Sequence, residues 1–146
     1  MAIVLESENL SEDEGGNYFQ YLLLQAVDNR TKNFYFIRED NNVGLIFDAG
    51  QPINIPLSEL EAILETRDLN ASDRLYSQAP LPRRLFTKIE SYWQRLYGLQ
   101  DIRKLKETEE AKKTVTLGVE NRTTIIDLTL NRSQRGNYHL NLDYKT

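Results

Sequence analysis

The run Thr114-Val115-Thr116-Leu117-Gly118-Val119, followed by Ile125-Ile126-Asp127-Leu128-Thr129-Leu130 and Tyr138-His139-Leu140-Asn141-Leu142-Asp143-Tyr144, decides the fold of this chain. Each of the three segments alternates with a period of two. Val115, Leu117 and Val119 point one way, as do Ile126, Leu128 and Leu130, and as do Tyr138, Leu140, Leu142 and Tyr144. Successive side chains of a strand face opposite sides, so each segment has one face to bury and one to wet. The breaks, Glu120-Asn121-Arg122 and Asn131 to Asn137 with Gly136, are short and polar and suit hairpin turns. Lys112 to Tyr144 therefore reads as an antiparallel meander whose apolar face needs a cover.

Upstream lie helices that can provide it. Pro82 suits the first turn of a helix, where its missing N–H costs nothing. Leu85, Ile89, Tyr92, Trp93 and Leu96 follow at helical spacing, and Gly98 is a stop signal. The other side of this helix carries a basic stripe, with Arg83 beside Arg84, Lys88 and Arg95. Nearer the start, Phe19, Leu22, Leu23, Ala26 and Val27 mark one face of an amphipathic helix over 18–28. Ser11 with Glu14 reads as a capping box and Asn17 as the other candidate cap, while Gly15-Gly16 weakens the first turn. Phe34 to Ile37 and Val43 to Asp48 read as a hairpin, and Ile53-Asn54-Ile55 as a third short strand ended by Pro56. Leu57, Leu60, Ile63 and Leu64 give a short helix. Residues 66–81 are polar and without pattern, the one internal linker the sequence offers.

Composition narrows the function. A chain of 146 residues, 40% apolar and 27% charged, suits one globular domain with its own core. We expect residues 1–17 to form an acidic lead-in and 18–146 a single α+β domain. The net charge of −4 argues against general nucleic-acid binding. No cysteine is present, which removes disulfides, thiol nucleophiles and thiolate metal sites. No secretory leader and no membrane-length apolar run stands out, so a cytoplasmic protein without membrane insertion is expected. The Asn-x-Ser/Thr triplets at Asn29, Asn70, Asn121 and Asn131 then read as turn chemistry.

Chemistry-bearing patterns are sparse. His139 is the single histidine, on a strand, and no phosphate-cradling glycine loop or nucleophile elbow occurs. The carboxylate pairs Glu59/Glu61 and Glu109/Glu110 sit in charged stretches with no sign of desolvation. We expect no catalytic residue, no metal and no cofactor. Two features remain as binding candidates. Arg83, Arg84, Lys88 and Arg95 suit an acidic partner surface or a phosphate. Aromatics crowd both faces of 34–36, which would leave Tyr35 exposed as an interface residue.

The order of elements resembles the PAS-like domain that precedes the P-loop motor in type II secretion and type IV pilus assembly ATPases. Leu22-Leu23-Leu24-Gln25-Ala26-Val27 is similar to its Leu-x-x-Ala run, and Val43 to Gly50 to its second strand and Asp-Gly turn. Leu99-Gln100-Asp101-Ile102 echoes its Leu-Asp-Ile segment. Asn121 to Leu130 looks like its Gly-Arg-x-Val-Asp-Leu-Arg-Val hairpin, and Gly136 falls where the family has a glycine before its last strand. The likeness spans roughly 18–144. Arginines that the family uses in nucleotide handling correspond here to Gly44 or Ile46 and to Thr129, and Glu107 to Lys112 replaces its Pro-Gln-Asp-Gly-Arg stretch. No P-loop motif of the motor occurs within these 146 residues. The resemblance thus implies a kept scaffold, with no catalytic residue carried over.

The expectation is one α+β domain, PAS-like, with an antiparallel sheet of about five strands and helices packed on one face. Its leading function is a non-catalytic protein-interaction module, with a secretion or pilus motor ATPase as the partner that the resemblance implies. A small-molecule or nucleotide sensor is the alternative, and an enzyme stands last. The sheet edges must be capped, charged or paired, and self-pairing into a homodimer is one solution.

Overall fold

A computed structural model of the chain describes residues 2–5, 13–66, 75–119 and 121–145. The meander forms as its alternation dictates. Strands β5 (Ala111–Val119), β6 (Arg122–Arg132) and β7 (Tyr138–Tyr144) run antiparallel. Val115 lies opposite Ile126, and Leu128 opposite Leu142. The hairpin β2 (Asn33–Arg38) and β3 (Asn42–Asp48) joins through β2 to β7.

Two strands extend this sheet beyond the expected five. β1 (Ala2–Leu5) adds parallel to β5 at one edge, and β4 (Leu75–Pro82) adds antiparallel to β3 at the other. The order is β1-β5-β6-β7-β2-β3-β4, with every contact antiparallel except the first. The acidic lead-in therefore contributes a strand at its start. The stretch read as a linker is partly an edge strand. Pro80 and Pro82, which would break a central strand, are tolerated there, and the register slips between Val43 and Leu45.

Helices α1 (Glu14–Asn29) and α3 (Arg83–Tyr97) cover the apolar face. Phe19, Leu22, Leu23 and Ala26 of α1 and Phe86, Ile89, Trp93 and Leu96 of α3 meet the inward side chains of the meander. Fully burying an aliphatic or aromatic side chain of this kind contributes about 1.5–3 kcal/mol. Asp13 caps α1 by accepting from Gly16 N at 3.0 Å. Asn17 lies inside the helix, and Ser11 lies outside the described residues. The two glycines of the first turn have a packing reason. A Cβ on Gly15 would sit 2.2 Å from the Lys88 carbonyl oxygen, and one on Gly16 would sit 2.9 Å from the Tyr92 ring. Only bare backbone lets the two helices approach so closely. Gly98 ends α3 in the left-handed conformation, φ 69°, as its position suggested.

The expectation that all helices share one face does not hold. α2 (Leu57–Thr66) lies over the opposite face, where Leu57 and Leu60 pack on Tyr35 and Ile46. The connection ahead of it, residues 49–56, is not a third strand. It forms a strap across that face. Among the described residues no helix is long and apolar enough to cross a membrane.

Candidate functional site

The basic stripe of α3 is real but divided. Lys88 pairs with Glu14 and Arg95 with Asp13, so α1 supplies the acids for both. The contact with Lys88 holds the Glu14 carboxyl below the usual carboxylate range. Arg83 and Arg84 stay exposed at the start of α3 and form no ion pair among the described residues. That helix end carries no acid in its first turn, and Pro82 offers no side-chain cap.

Tyr35 is not part of any surface. It is fully buried beneath the strap and far in character from the stripe, which corrects its assignment as an interface residue. Both faces of 34–36 are covered because helices and strap lie on opposite sides of β2. The Tyr35 hydroxyl donates to Ile55 O at 2.7 Å and accepts from Ile55 N at 3.2 Å. Burial pushes its pKa up to about 12. Its ring stacks on His139, centroids 4.5 Å apart and planes 8° from parallel.

His139 belongs to a connected polar array. Asp48 accepts from Lys32 N, Asn33 N, Asn33 Nδ2 and Ile53 N, at 2.7 to 3.1 Å. The carboxylate can only accept, which fixes the Asn33 amide with its oxygen facing away. That oxygen lies 2.7 Å from His139 Nε2, so the imidazole carries its proton on Nε2. Burial lowers the His139 pKa to about 4 and keeps the ring neutral, against the pull of Asp48 and Glu110. Asn33 Nδ2 also donates to Asn54 Oδ1 at 3.0 Å. The array thus holds the strap to the sheet. A shallow cleft of about 390 Å³ opens beside His139, between Leu57 and Asn131. A wider one of about 620 Å³ spreads over the wet side of the meander, with Lys32, Lys112, Asp127 and Asn141 on its walls.

A second array closes the far end of the sheet. Buried Glu90 of α3 accepts from Arg38 Nη2 at 2.8 Å and from the Tyr138 hydroxyl at 2.6 Å. Arg38 Nε donates to Gly136 O at 2.9 Å, and Arg132 Nε to the Tyr138 hydroxyl at 3.3 Å. Gly136 adopts φ 84°, which disfavours any side chain, and a Cβ there would crowd Arg38 and Arg132 at 3.2 Å. On the other face Glu61 of α2 accepts from Ser133 and Asn137. The 133–137 turn is therefore clamped between layers. Sequence reading missed this pairing because Arg38 and Glu90 lie 52 residues apart and neither sits in a motif. Among the described residues no group of three or more His, Asp or Glu is placed to hold a metal ion.

The corner where β4 meets α3 is the remaining feature. β4 reads Leu75-Tyr76-Ser77-Gln78-Ala79-Pro80-Leu81-Pro82 and carries no charge. Only β3 pairs with it, leaving its outer backbone side open among the described residues. Tyr76 is 49% exposed and stacks on Phe47, which in turn contacts Phe34. The strand runs directly into Arg83 and Arg84. The sequence carried no periodic signal for this strand, since Leu75-Tyr76-Ser77-Gln78 does not alternate and Pro80 and Pro82 argue against a strand. No protein-family model matches this sequence, and no curated protein shows significant similarity to it.

Proposed function

We infer that this domain is a non-catalytic protein-interaction module. One observation carries the reading: an uncharged, open sheet edge runs straight into two exposed arginines. Edges are ordinarily protected by charge, proline or a bulge; Pro80, Pro82 and the register slip protect the C-terminal half of β4, whereas Leu75 to Gln78 carries none of these and can template a partner strand. The two buried polar arrays favour the same view, because their groups are spent on each other and on the strap. The α+β architecture agrees with the PAS-like scaffold that the resemblance implies. On that resemblance the partner is a secretion or pilus motor ATPase, met in the cytoplasm. Affinity purification of the tagged chain from its native cell tests this. A P-loop ATPase of that class should be retained by the wild type and lost with the Arg83→Glu/Arg84→Glu double variant. Recovery of the chain alone refutes it.

A small-molecule sensor is the second reading, favoured by the 620 Å³ cleft with Lys32 and Lys112 on its walls. A ligand at 100 times its dissociation constant raises stability by about 2.7 kcal/mol. A nucleotide panel with no thermal shift removes this reading.

A further inference from the structure

We propose that β4 receives an extended segment of the partner as an eighth strand, and that this segment is acidic at its N-terminal end. The proposal rests on the interaction reading above and specifies its mode. Three observations converge on it.

β4 terminates the sheet, with Leu75 to Ala79 free of proline, so this part of its outer side can exchange main-chain hydrogen bonds with an added strand. The row of rings Phe34, Phe47 and Tyr76, spaced 6.0 and 5.8 Å, stops at a half-exposed tyrosine. An aromatic or β-branched residue on an incoming strand would continue it.

Charge supplies the third observation and selects the occupant. The strand itself has none, whereas Arg83 and Arg84 stand exposed just beyond its C-terminal end. In antiparallel addition, the geometry of all but one contact in this sheet, the N-terminal end of the guest lies beside those arginines. Guanidinium groups favour carboxylates. With the register slip near Gly44, the acids fall roughly six positions ahead of the residue facing Tyr76. A second copy would bring Asp73 and Arg74, which precede its own β4 and cancel in charge, so a partner segment with acids alone fits the arginines better than self-pairing.

The probe is the labelled synthetic peptide Glu-Glu-Ser-Thr-Val-Thr-Val-Phe-Thr, compared with the same residues in reverse order. Fluorescence anisotropy and amide chemical-shift mapping are read on the full chain. We expect saturable binding, amide shifts centred on 75–79, and loss of binding in Ser77→Lys. Arg83→Glu/Arg84→Glu should weaken it about tenfold, as expected for two exposed charge contacts. Both variants change exposed side chains, and a single cooperative melting transition shows that they fold. Equal binding of the reversed peptide, shifts centred elsewhere, or no binding would overturn the proposal. So would a concentration-dependent dimer that Ser77→Lys dissolves, since the edge would then belong to a second copy. If Ser77→Lys still retains the ATPase from cells, strand addition fails while the interaction reading stands. If the peptide binds as described but wild type retains no ATPase, that reading fails alone.

Discussion

On the side of the sheet facing α1 and α3, Trp93 lies against Phe19, Phe36, Phe86 and Tyr138, with ring centroids 5.2 to 5.8 Å apart. On the other side Asp48 sits equally buried but surrounded by four donors, with only a small apolar cluster around Tyr35 and Leu60. One face is held by area removed from water, which is non-directional and tolerant. The other is held by hydrogen bonds that must all be made at once, because an orphaned buried donor costs its full desolvation. The first face fixes the fold. The second fixes where a strap and a helix lie on it.

That contrast is most sharply broken by removing its largest member on each side. Trp93→Ala should cost about 4 kcal/mol, the middle of the range for an aromatic core truncation, without changing which elements form. Chemical denaturation measures it. Asp48→Ala should cost about 3 kcal/mol by leaving four donors without an acceptor. Its distinguishing mark is local: amide exchange should quicken in 49–60 while α1 and α3 stay protected. Uniform exchange in both variants would dissolve the distinction between faces.

The helix pair offers a third probe of the apolar side. Gly15→Ala places a methyl 2.2 Å from the Lys88 carbonyl oxygen, backbone that can yield only by moving α1 away from α3. Overpacking of this kind costs about 2–3 kcal/mol, despite the higher helix propensity of alanine. A gain in stability would mean that the crossing is looser than its geometry.

Acid separates the faces in another way. His139 has a pKa of about 4 in the fold against an ordinary 6.5, because burial penalises the charged ring. Between those values the unfolded chain binds more protons, so stability rises with pH and is lost as pH falls. From pH 7 to pH 5 this group alone should remove about 2 kcal/mol, and His139→Gln should flatten that part of the profile. On the side of α1 and α3 the lowered Glu14 carboxyl responds in the same direction, but in the carboxylate range below the window of His139.

How much of this was legible in the sequence follows the same divide. Periodicity exposed the apolar face: Val115, Leu128 and Leu140 on strands, Leu22 and Trp93 on helices, with Gly98 as a stop. The strap face was opaque because Asp48, Asn33 and His139 satisfy one another across up to 106 residues, and local pattern carries no trace of such pairs. Tyr35 was misplaced for that reason. It alternates like a surface residue and is buried by a strap that shows no period of its own. Of the basic stripe, sequence gave the side of the helix but not the acids of α1 that neutralise Lys88 and Arg95.

The smallest effect is also the one with inverted sign. Arg83 and Arg84 occupy the first turn of α3, where the helix dipole is positive and exposed N–H groups favour an acid. Arg84 at least lies near Glu14, whereas Arg83 forms no ion pair among the described residues. Arg83→Glu should therefore raise the melting temperature by about 1–2 °C at low salt, with the gain shrinking as salt is added. Lys88→Glu should instead lower it, since it sets two acids side by side at Glu14. If both substitutions lower it alike, the stripe is one structural unit. If Arg83→Glu stabilises while weakening peptide capture at β4, the arginine is held at that position against the preference of its own helix.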